Sequence, residues 1–404
     1  MDLMVKNNTF FVLIACICLL PFASIQFLPF GIPLYPLEIA LLVSSPFLFP
    51  LEIGKIFRVP IVRKVALSSL LLFFGVLISY MSHPSTLTGL GQMKSFFFLP
   101  MVFWLVMTPL LDTHIRRERV LWHLRQMFVL VSLSALGTGF FRGLTYDHRL
   151  SAWFDSPNLL AIFLIPGAIL WGVQVLSGKR VRVSELLSWS AVNGTLLLTQ
   201  SYGALMSVLI ALVFYMWISR EYLFRKQFLV KAAIGLLVIS GCILVNGRQG
   251  FEKLDALILG NERSSFSSRE MIWRSALKMV QDSPLTGIGP ARFQSVYLEY
   301  QRFYPPYLEW AVPHPHNLLL AIWLSSGIIG VCASIWLCVS LFYALKQVPI
   351  KKEKALLGAL FLGVFVSGLV DVPYFRAEFC FMFWLESALL TGVFFERNQD
   401  WGEV

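Results

Sequence analysis

Long apolar runs, separated by short polar stretches, make up most of the chain. A helix needs roughly 20 apolar residues to cross a hydrocarbon core about 30 Å thick. Runs of this length recur from one end of the sequence to the other and predict about twelve transmembrane helices. The predicted spans are 9–28, 31–50, 65–82, 95–111, 120–141, 158–177, 184–200, 203–219, 228–246, 316–345, 355–373 and 377–395. We therefore expect an all-α, polytopic integral membrane protein, with residues 1–404 forming a single membrane domain.

The first apolar run could be mistaken for a signal peptide, but no small-residue cleavage site precedes the next run, so we interpret it as the first span. The basic residues of the short loops then predict the orientation, because cytoplasmic loops carry an excess of lysine and arginine. These basic loops all fall on the side of the N-terminus; they lie at 55–64, 116–119, 179–182, 220–226 and 346–354. An even number of spans then places both termini in the cytoplasm.

The longest connection on the predicted external side is the segment 247–315, between the ninth and tenth spans. At about 70 residues it far exceeds an ordinary loop. Within it, the stretch "SSREMIWRSALKMVQDSPLTGIG" begins with serines that suit a helix N-terminus, continues in an amphipathic pattern through Lys278 and stops at Pro284. We expect one long external segment with at least one helix lying against the membrane.

The composition agrees with a membrane protein, since 57% of the residues are hydrophobic and 14% are charged, against roughly 25% charged residues in a soluble domain. The formal net charge is +10, but no hydrophilic segment carries a basic stripe with interleaved aromatics, so no nucleic-acid partner is expected. The six cysteines lie in or beside apolar runs and lack metal-site spacing. We interpret them as packing residues and expect no metal and no cofactor.

Two histidines precede the tenth predicted span, in "VPHPHNLLLAIWLSSGIIG". Pro313 and Pro315 favour extended backbone in the residues before them. Asn317 falls at the start of the helix, so His314 and His316 are expected at its N-terminal edge. The helix dipole disfavours imidazolium there, which keeps a histidine neutral and available as a base or hydrogen-bond partner. The alternative is an amphipathic anchor at the membrane interface.

Arginines occur on the same predicted face. Arg269 falls in the first turn of the predicted external helix, where a cation opposes the helix dipole, so an anionic ligand would explain its presence. Arg149 and Asn158 come just before a span in "YDHRLSAWFDSPNLLAIFL"; the alternative is a snorkelling arginine and an N-capping asparagine. Because arginine binds phosphates bidentately, the pattern indicates a lipid-linked phosphate or diphosphate donor. The absence of a nucleotide-binding motif argues against a nucleotide sugar.

The sequence resembles one known family. The stretch "SSREMIWRSALKMVQDSPLTGIGPARF", followed by "PHPHNLLLAIWLSSGIIG", resembles the C-terminal signature of the O-antigen ligase and O-antigen polymerase family, and "RLSAWFDSPNLLAIFL" is similar to an upstream family segment. The resemblance implies a helical glycosyltransferase that uses an undecaprenyl-diphosphate-linked glycan at the outer face of the bacterial inner membrane, without a metal or a nucleotide sugar. By motif, it assigns His316 as the functional histidine, Arg269 as a diphosphate contact and Arg149 as the upstream arginine.

One position departs from the family pattern. After the seventh span the family commonly shows Ser-Arg-Gly, with an arginine that helps to bind the donor, whereas this sequence reads "TQSYGALMS" with Tyr202 at that place. A tyrosine donates a hydrogen bond but carries no charge, so either Arg248 or Arg149 compensates or the donor is handled differently. The hypothesis is an inverting displacement in which His316, with His314 beside it, acts as base or orients the acceptor. Substrate contacts come from the remaining candidates, which are Arg269, Arg149, Arg248, Asn317, Asn158 and Tyr202.

The acceptor stays open at this point. A ligase transfers the glycan to lipid A-core, a polymerase to a second lipid-linked repeat, and a related protein O-oligosaccharyltransferase to a hydroxyl side chain. We favour the first two, because the external segment is short for a protein-docking domain. A transporter or flippase of lipid-linked saccharide is the second class, but it needs polar groups at mid-bilayer depth, where the nearest candidates are Arg125, Glu378 and Glu386. A scaffold without chemistry would leave the external histidines and arginines unexplained.

Overall fold

The computed structural model describes residues 57–84, 86–178, 181–219, 265–304 and 312–399, with residues 10, 14–22, 25, 27–28 and 34–41 nearer the N-terminus. The regular structure of these residues is helical. Among them, the one extended pairing is an isolated antiparallel bridge between Phe27 and Leu34. The predicted all-helical class is therefore confirmed for the described part of the chain.

The longer helices of the described part of the chain lie between Pro60 and Gln399. In chain order they are α1 (Pro60–Ser82), α2 (Leu87–Leu111), α3 (His114–Arg142), α4 (Pro157–Ser177), α5 (Val183–Leu198), α6 (Tyr202–Ser219), α7 (Ser265–Asp282), α8 (Phe293–Tyr300), α9 (Leu318–Gln347), α10 (Lys351–Gly368) and α11 (Ala377–Gln399). Within α2, residues Met93–Phe98 form a π-helical turn. The helix predicted in this segment corresponds to α7, which ends two residues before Pro284 as expected. It begins at Ser265, earlier than the serines expected at its N-terminus, so Arg269 lies in its second turn.

Seven of the described helices are long and apolar enough to cross a membrane, judged by length and composition alone. They are α1, α2, α3, α4, α6, α9 and the part of α11 that ends at Phe395. Each coincides with a predicted span. The predicted spans 9–28, 31–50 and 228–246 lie wholly or partly outside the described residues.

Two further predicted spans, 184–200 and 355–373, contain helices that do not meet this measure. The helix α5 has 16 residues, and at 1.5 Å per residue its length of about 24 Å is less than the thickness of the hydrocarbon core. The helix α10 has 18 residues, but its first turn reads Lys-Lys-Glu-Lys. The charged start of α10 and the shortness of α5 set both apart from the seven candidate spans.

The chain divides into two compact units. Unit 1 comprises residues 1–120, 265–348 and 368–404, and unit 2 comprises residues 121–264 and 349–367. In unit 1, α1 packs closely on α9, since a Cβ atom on Gly75 would lie 2.8 Å from the backbone nitrogen of Gly330. Small residues at such crossings allow two membrane helices to approach closely.

The helix α9 is broken at Gly327, which has a φ of 64° and a ψ of −166°. The break removes the usual bond between the oxygen of Leu324 and the amide of Ile328. The segment after α7 satisfies both groups: Leu324 accepts from the amide of Ile288 at 2.8 Å, and the amide of Ile328 donates to Leu285 at 3.2 Å. The "PLTGIG" stretch thus inserts its backbone into the gap of α9.

An apolar core fixes α7 over the same region of unit 1. Its buried residues repeat along one face of the helix at Ile272, Ala276, Met279 and Val280, a spacing that aligns side chains on one stripe. They pack against residues of α8 and α9 and of the segments between them, namely Ile288, Phe293, Tyr297, Val312, Leu320 and Leu324. This core and the backbone contacts at Gly327 hold α7 in a fixed position beside the start of α9.

Candidate active site

Hydrogen bonds fix the residues just before α9. Asn317 caps the helix, because its side-chain oxygen accepts from the amide of Leu320 at 3.1 Å, as expected of an N-cap residue. Its side-chain nitrogen donates to the oxygen of Leu369 at 3.1 Å. The residue before it, His316, has a φ of 48°, a left-handed conformation that is uncommon outside glycine and is often found at functional sites.

The imidazole of His316 lies beside a buried carboxylate. Its Nδ1 is 3.1 Å from Oδ1 of Asp371, and Asp371 is 6% exposed. The same oxygen accepts from the amide of Val372 at 2.9 Å. The hydrogen bond to His316 and the nearby guanidinium of Arg269 favour the ionised form of this carboxyl. The carboxylate is ionised at neutral pH.

Arg269 reaches the same carboxylate from α7. Its Nε donates to the backbone oxygen of Val370 at 2.7 Å, and one terminal nitrogen lies 3.7 Å from Oδ2 of Asp371. Oδ1 of Asp371 therefore faces the imidazole of His316, and Oδ2 faces the guanidinium of Arg269. One turn along α7, Nε1 of Trp273 donates to the backbone oxygen of His316 at 3.2 Å, so that α7 contacts the histidine segment at two places.

His314 completes this group. Its ring centroid lies 4.6 Å from that of His316, with the two rings nearly perpendicular. Burial lowers the pKa of His314 to about 4; the charges of His316 and Arg376 act in the same direction, and Asp371 opposes them. His314 is therefore neutral at pH 7, with desolvation as the largest cause. One nitrogen or oxygen atom from each of His314, His316 and Asp371 lies within 4.8 Å of the other two, so these residues could hold a metal ion.

Unit 2 contains a separate group around Arg149. Its Nε donates to the backbone oxygen of Thr199 at 2.7 Å, and a terminal nitrogen donates to the side-chain oxygen of Asn158. Another terminal nitrogen lies 3.6 Å from Asp147. Tyr202 begins α6 three residues after Thr199, and its phenol lies within electrostatic range of Arg149. Arg149, Asn158 and Tyr202, all candidates from the sequence, are brought together within this unit.

The structure therefore places the candidate residues in two groups. His314, His316, Asn317 and Arg269 lie in unit 1, and the Arg149 group lies in unit 2. Arg248 falls outside the described residues. Asp371 is the residue that the sequence did not reveal, since it lies 55 positions from His316 inside the apolar run read as the span 355–373. An acid between apolar residues in "GLVDVPYF" was the available signal.

Comparison with known proteins adds to this geometry. Residues 186–335 match the sequence model described as O-antigen ligase. The chain resembles the O-antigen ligase family. The resemblance expected from the sequence motifs is thereby confirmed, and the matched region includes Tyr202, Arg269, His314, His316 and Asn317.

Two curated proteins give alignments that agree with this family. The chain is 25% identical over 250 residues to a protein named general O-oligosaccharyltransferase from Acinetobacter baylyi, covering 58% of this chain and 42% of that protein. It is also 25% identical over 198 residues to a protein named O-antigen ligase from Salmonella typhimurium, covering 48% of this chain and 46% of that protein. The chain thus spans less than half the length of these two relatives.

The O-antigen ligase match covers only part of the candidate site. The match ends at residue 335, so it contains the histidines and Arg269 but not Asp371, the residue that joins them. Arg149 and Asn158 lie before its first residue. The contacts of Asp371 therefore come from the fold of this chain, independently of the family match.

Proposed function

We propose that this chain is a membrane glycosyltransferase that moves a saccharide from an undecaprenyl-diphosphate carrier to an acceptor hydroxyl. The observation that carries the proposal is the group in which Asp371 contacts both His316, at 3.1 Å, and Arg269, at 3.7 Å. The O-antigen ligase match over residues 186–335 supports the reaction class. The undecaprenyl carrier comes from the resemblance to the family.

The contact with Asp371 determines which ring nitrogen of neutral His316 carries the hydrogen. An ionised carboxylate only accepts hydrogen bonds, so Nδ1 of His316 carries the hydrogen and donates it to Oδ1. In a neutral imidazole the other nitrogen, Nε2, is then the acceptor. His316 is therefore the candidate base, with Asp371 fixing its tautomer and stabilising the imidazolium that forms.

The proposed transfer is a single displacement. The acceptor oxygen bonds to the anomeric carbon while its proton passes to Nε2 of His316. The bond between the anomeric carbon and the phosphate oxygen breaks, and undecaprenyl diphosphate leaves with the electron pair. Such a displacement inverts the anomeric centre. Arg269 stabilises the negative charge that develops on the leaving diphosphate, so the reaction needs no metal ion or other cofactor.

The remaining candidates have supporting roles in this proposal. Neutral His314 lies against His316 and helps to orient the acceptor, while Asn317 fixes the start of α9. In unit 2, Arg149 with Asn158 and Tyr202 form a donor contact, the phenol taking the place of the family's arginine. Arg248 belongs to the proposed donor site as well, on the basis of the sequence alone.

We place the site outside the cytoplasm, at the outer face of the bacterial inner membrane. The proposal keeps about twelve spans, both termini in the cytoplasm and the external segment 247–315, within one membrane domain formed by residues 1–404. The distribution of lysine and arginine among the short loops supports this orientation. The bilayer is a partner of the whole chain, and the lipid tail of the donor lies within it.

The names of the two relatives agree with two kinds of acceptor. One relative is named O-antigen ligase, which agrees with lipid A-core or, for a polymerase, a second lipid-linked repeat. The other is named general O-oligosaccharyltransferase. We favour a glycan acceptor because the external segment, about 70 residues long, has little room for a protein-docking domain.

The test is transfer by the purified protein from an undecaprenyl-diphosphate-linked oligosaccharide. Parallel reactions contain lipid A-core, donor alone or a pilin-like polypeptide. We expect product in one reaction, lost in His316→Ala and kept in His83→Ala. His83 is a matched histidine that follows α1 and bonds to the backbone oxygen of Ser79. Donor binding without transfer in every reaction would contradict the proposal and favour a carrier of lipid-linked saccharide.

A further inference from the structure

The group formed by His314, His316 and Asp371 has the donor atoms of a metal site. Two imidazoles and one carboxylate each offer one ligand atom, and these atoms lie within 4.8 Å of one another. Zinc binds such donors at roughly 2.0–2.2 Å, which places tetrahedral ligand atoms roughly 3.3 Å apart. Small rotations of the two imidazole rings would bring the three ligand atoms from within 4.8 Å of one another to the spacing that a tetrahedral ion needs.

A second observation at the same place concerns His314. Its Nδ1 is shielded from solvent, and within the described part of the chain it has no hydrogen bond to another residue. Buried polar atoms are almost always satisfied. A metal ion that accepts the lone pair of Nδ1 would satisfy this atom.

The surroundings of the three residues are organised as in metal sites. Asp371 uses Oδ1 toward His316 and Oδ2 toward Arg269, so one oxygen would be available to a cation while Arg269 orients the other. Hydrogen bonds from outer residues to ligating carboxylates have this orienting role. The left-handed backbone of His316 and the Asn317 cap fix the histidine segment before any ion binds.

We propose that His314, His316 and Asp371 form a binding site for a divalent transition-metal ion of the Zn²⁺ class, and that occupation of this site inhibits glycan transfer. The inhibitory part rests on the proposed function. An ion on Nε2 of His316 blocks the proton acceptor directly. An ion on Nδ1 displaces the hydrogen to Nε2, which then donates and no longer accepts a proton.

Metal binding is tested without any transfer assay. Protein purified without a histidine tag and stripped by a chelator is titrated with Co²⁺, whose visible absorption reports ligand binding. We expect one Co²⁺ per chain in the wild type and in His83→Ala, displaced by Zn²⁺. In His314→Ala, His314→Gln and Asp371→Asn we expect at least tenfold weaker binding in protein that elutes and unfolds like the wild type. Absence of Co²⁺ binding, or equal binding in all variants, would overturn the site.

Inhibition is measured separately, in the transfer assay. We expect Zn²⁺ to lower the rate of the wild type along the same concentration curve as its occupancy, and a chelator to restore the rate. Mg²⁺ is the control, because it also binds diphosphates but prefers oxygen ligands, and it should not inhibit. Full transfer at saturating Zn²⁺ occupancy would overturn the inhibition. A wild type that binds Co²⁺ but transfers nothing even without metal would instead count against the proposed function.

Discussion

Trp273 donates a hydrogen bond from its indole nitrogen to the backbone oxygen of His316, across 3.2 Å. The bond joins α7 to the segment that enters α9 and lies one turn from Arg269. Because His316 holds a left-handed backbone conformation, a contact to its own carbonyl is well placed to stabilise that conformation. The position of the candidate base thus depends on a residue of α7.

Replacing Trp273 by Phe removes this hydrogen bond and keeps the aromatic ring. We expect kcat to fall about fivefold, because one hydrogen bond contributes about 1 kcal/mol and its loss lets the His316 segment move. The change is measured as kcat and donor KM in the transfer assay, with thermal unfolding alongside. The control is Trp217→Phe, a tryptophan that is 60% exposed. Equal kcat in both variants would contradict the positioning role.

Replacing Asp371 by Asn preserves shape but removes the charge that fixes the tautomer of His316. The amide can donate to Nδ1 and favour hydrogen on Nε2, the wrong nitrogen for a base. We expect kcat to fall by about 10²–10⁴, by analogy with other carboxylate–histidine pairs, with a smaller rise in donor KM. The control is Asp282→Asn at the exposed end of α7, where the carboxylate pairs with Lys278. Near wild-type kcat in Asp371→Asn would refute the assigned tautomer.

Replacing Gly327 by Ala should destabilise unit 1. The added Cβ would collide with the backbone oxygen of Leu285, and the positive φ is unfavourable for alanine. We expect a loss of about 2 kcal/mol or more, as for other incompatible glycine replacements, seen as a lower midpoint of thermal unfolding in detergent.

The matched control for this change is Gly194→Ala. Gly194 lies within α5, and no described atom lies within 4 Å of an added Cβ. Since alanine favours helix by up to about 1 kcal/mol over glycine, this variant should be as stable as the wild type or more so. A Gly327→Ala protein as stable as Gly194→Ala would show that the break in α9 does not require glycine.

Replacing Arg149 by Lys tests the group in unit 2. An ammonium cannot bond both the oxygen of Thr199 and that of Asn158 as the guanidinium does. We expect a lower unfolding midpoint and a severalfold higher donor KM, with kcat less affected. Arg142→Lys, an exposed arginine at the end of α3, serves as control. A donor KM unchanged from the wild type would remove Arg149 from the donor site.

Local sequence patterns predict much of this fold. Runs of apolar residues predict the seven candidate spans. Pro284 marks the end of α7, whereas Ser267 and Ser268 lie inside the helix, which begins at Ser265. A hydropathy run alone does not distinguish a full span from a shorter helix such as α5, which has 16 residues. The break at Gly327 is invisible to local patterns, because it depends on a segment that lies some 40 residues earlier in the chain.

The sequence also predicts only part of the candidate site. Motif and residue type single out His314, His316 and Arg269, but not the carboxylate that joins them, because pairing between distant residues leaves no local pattern. The structure also explains Arg269 and the neutral state of His314 differently from the anionic ligand and the helix dipole that the sequence suggested. Arg269 at the start of α7 has a protein partner in Asp371, and burial is the largest cause of the low pKa of His314.

The break in α9 has a consequence for how the chain is assembled in the bilayer. If α9 inserted alone, it would continue as a regular helix, because the oxygen of Leu324 and the amide of Ile328 would otherwise lack partners, which is costly in hydrocarbon. The partners that replace the helical bond between these two groups, Ile288 and Leu285, lie between α7 and α8 and are synthesised earlier. The broken form of α9 therefore depends on a segment that is already made when α9 is synthesised.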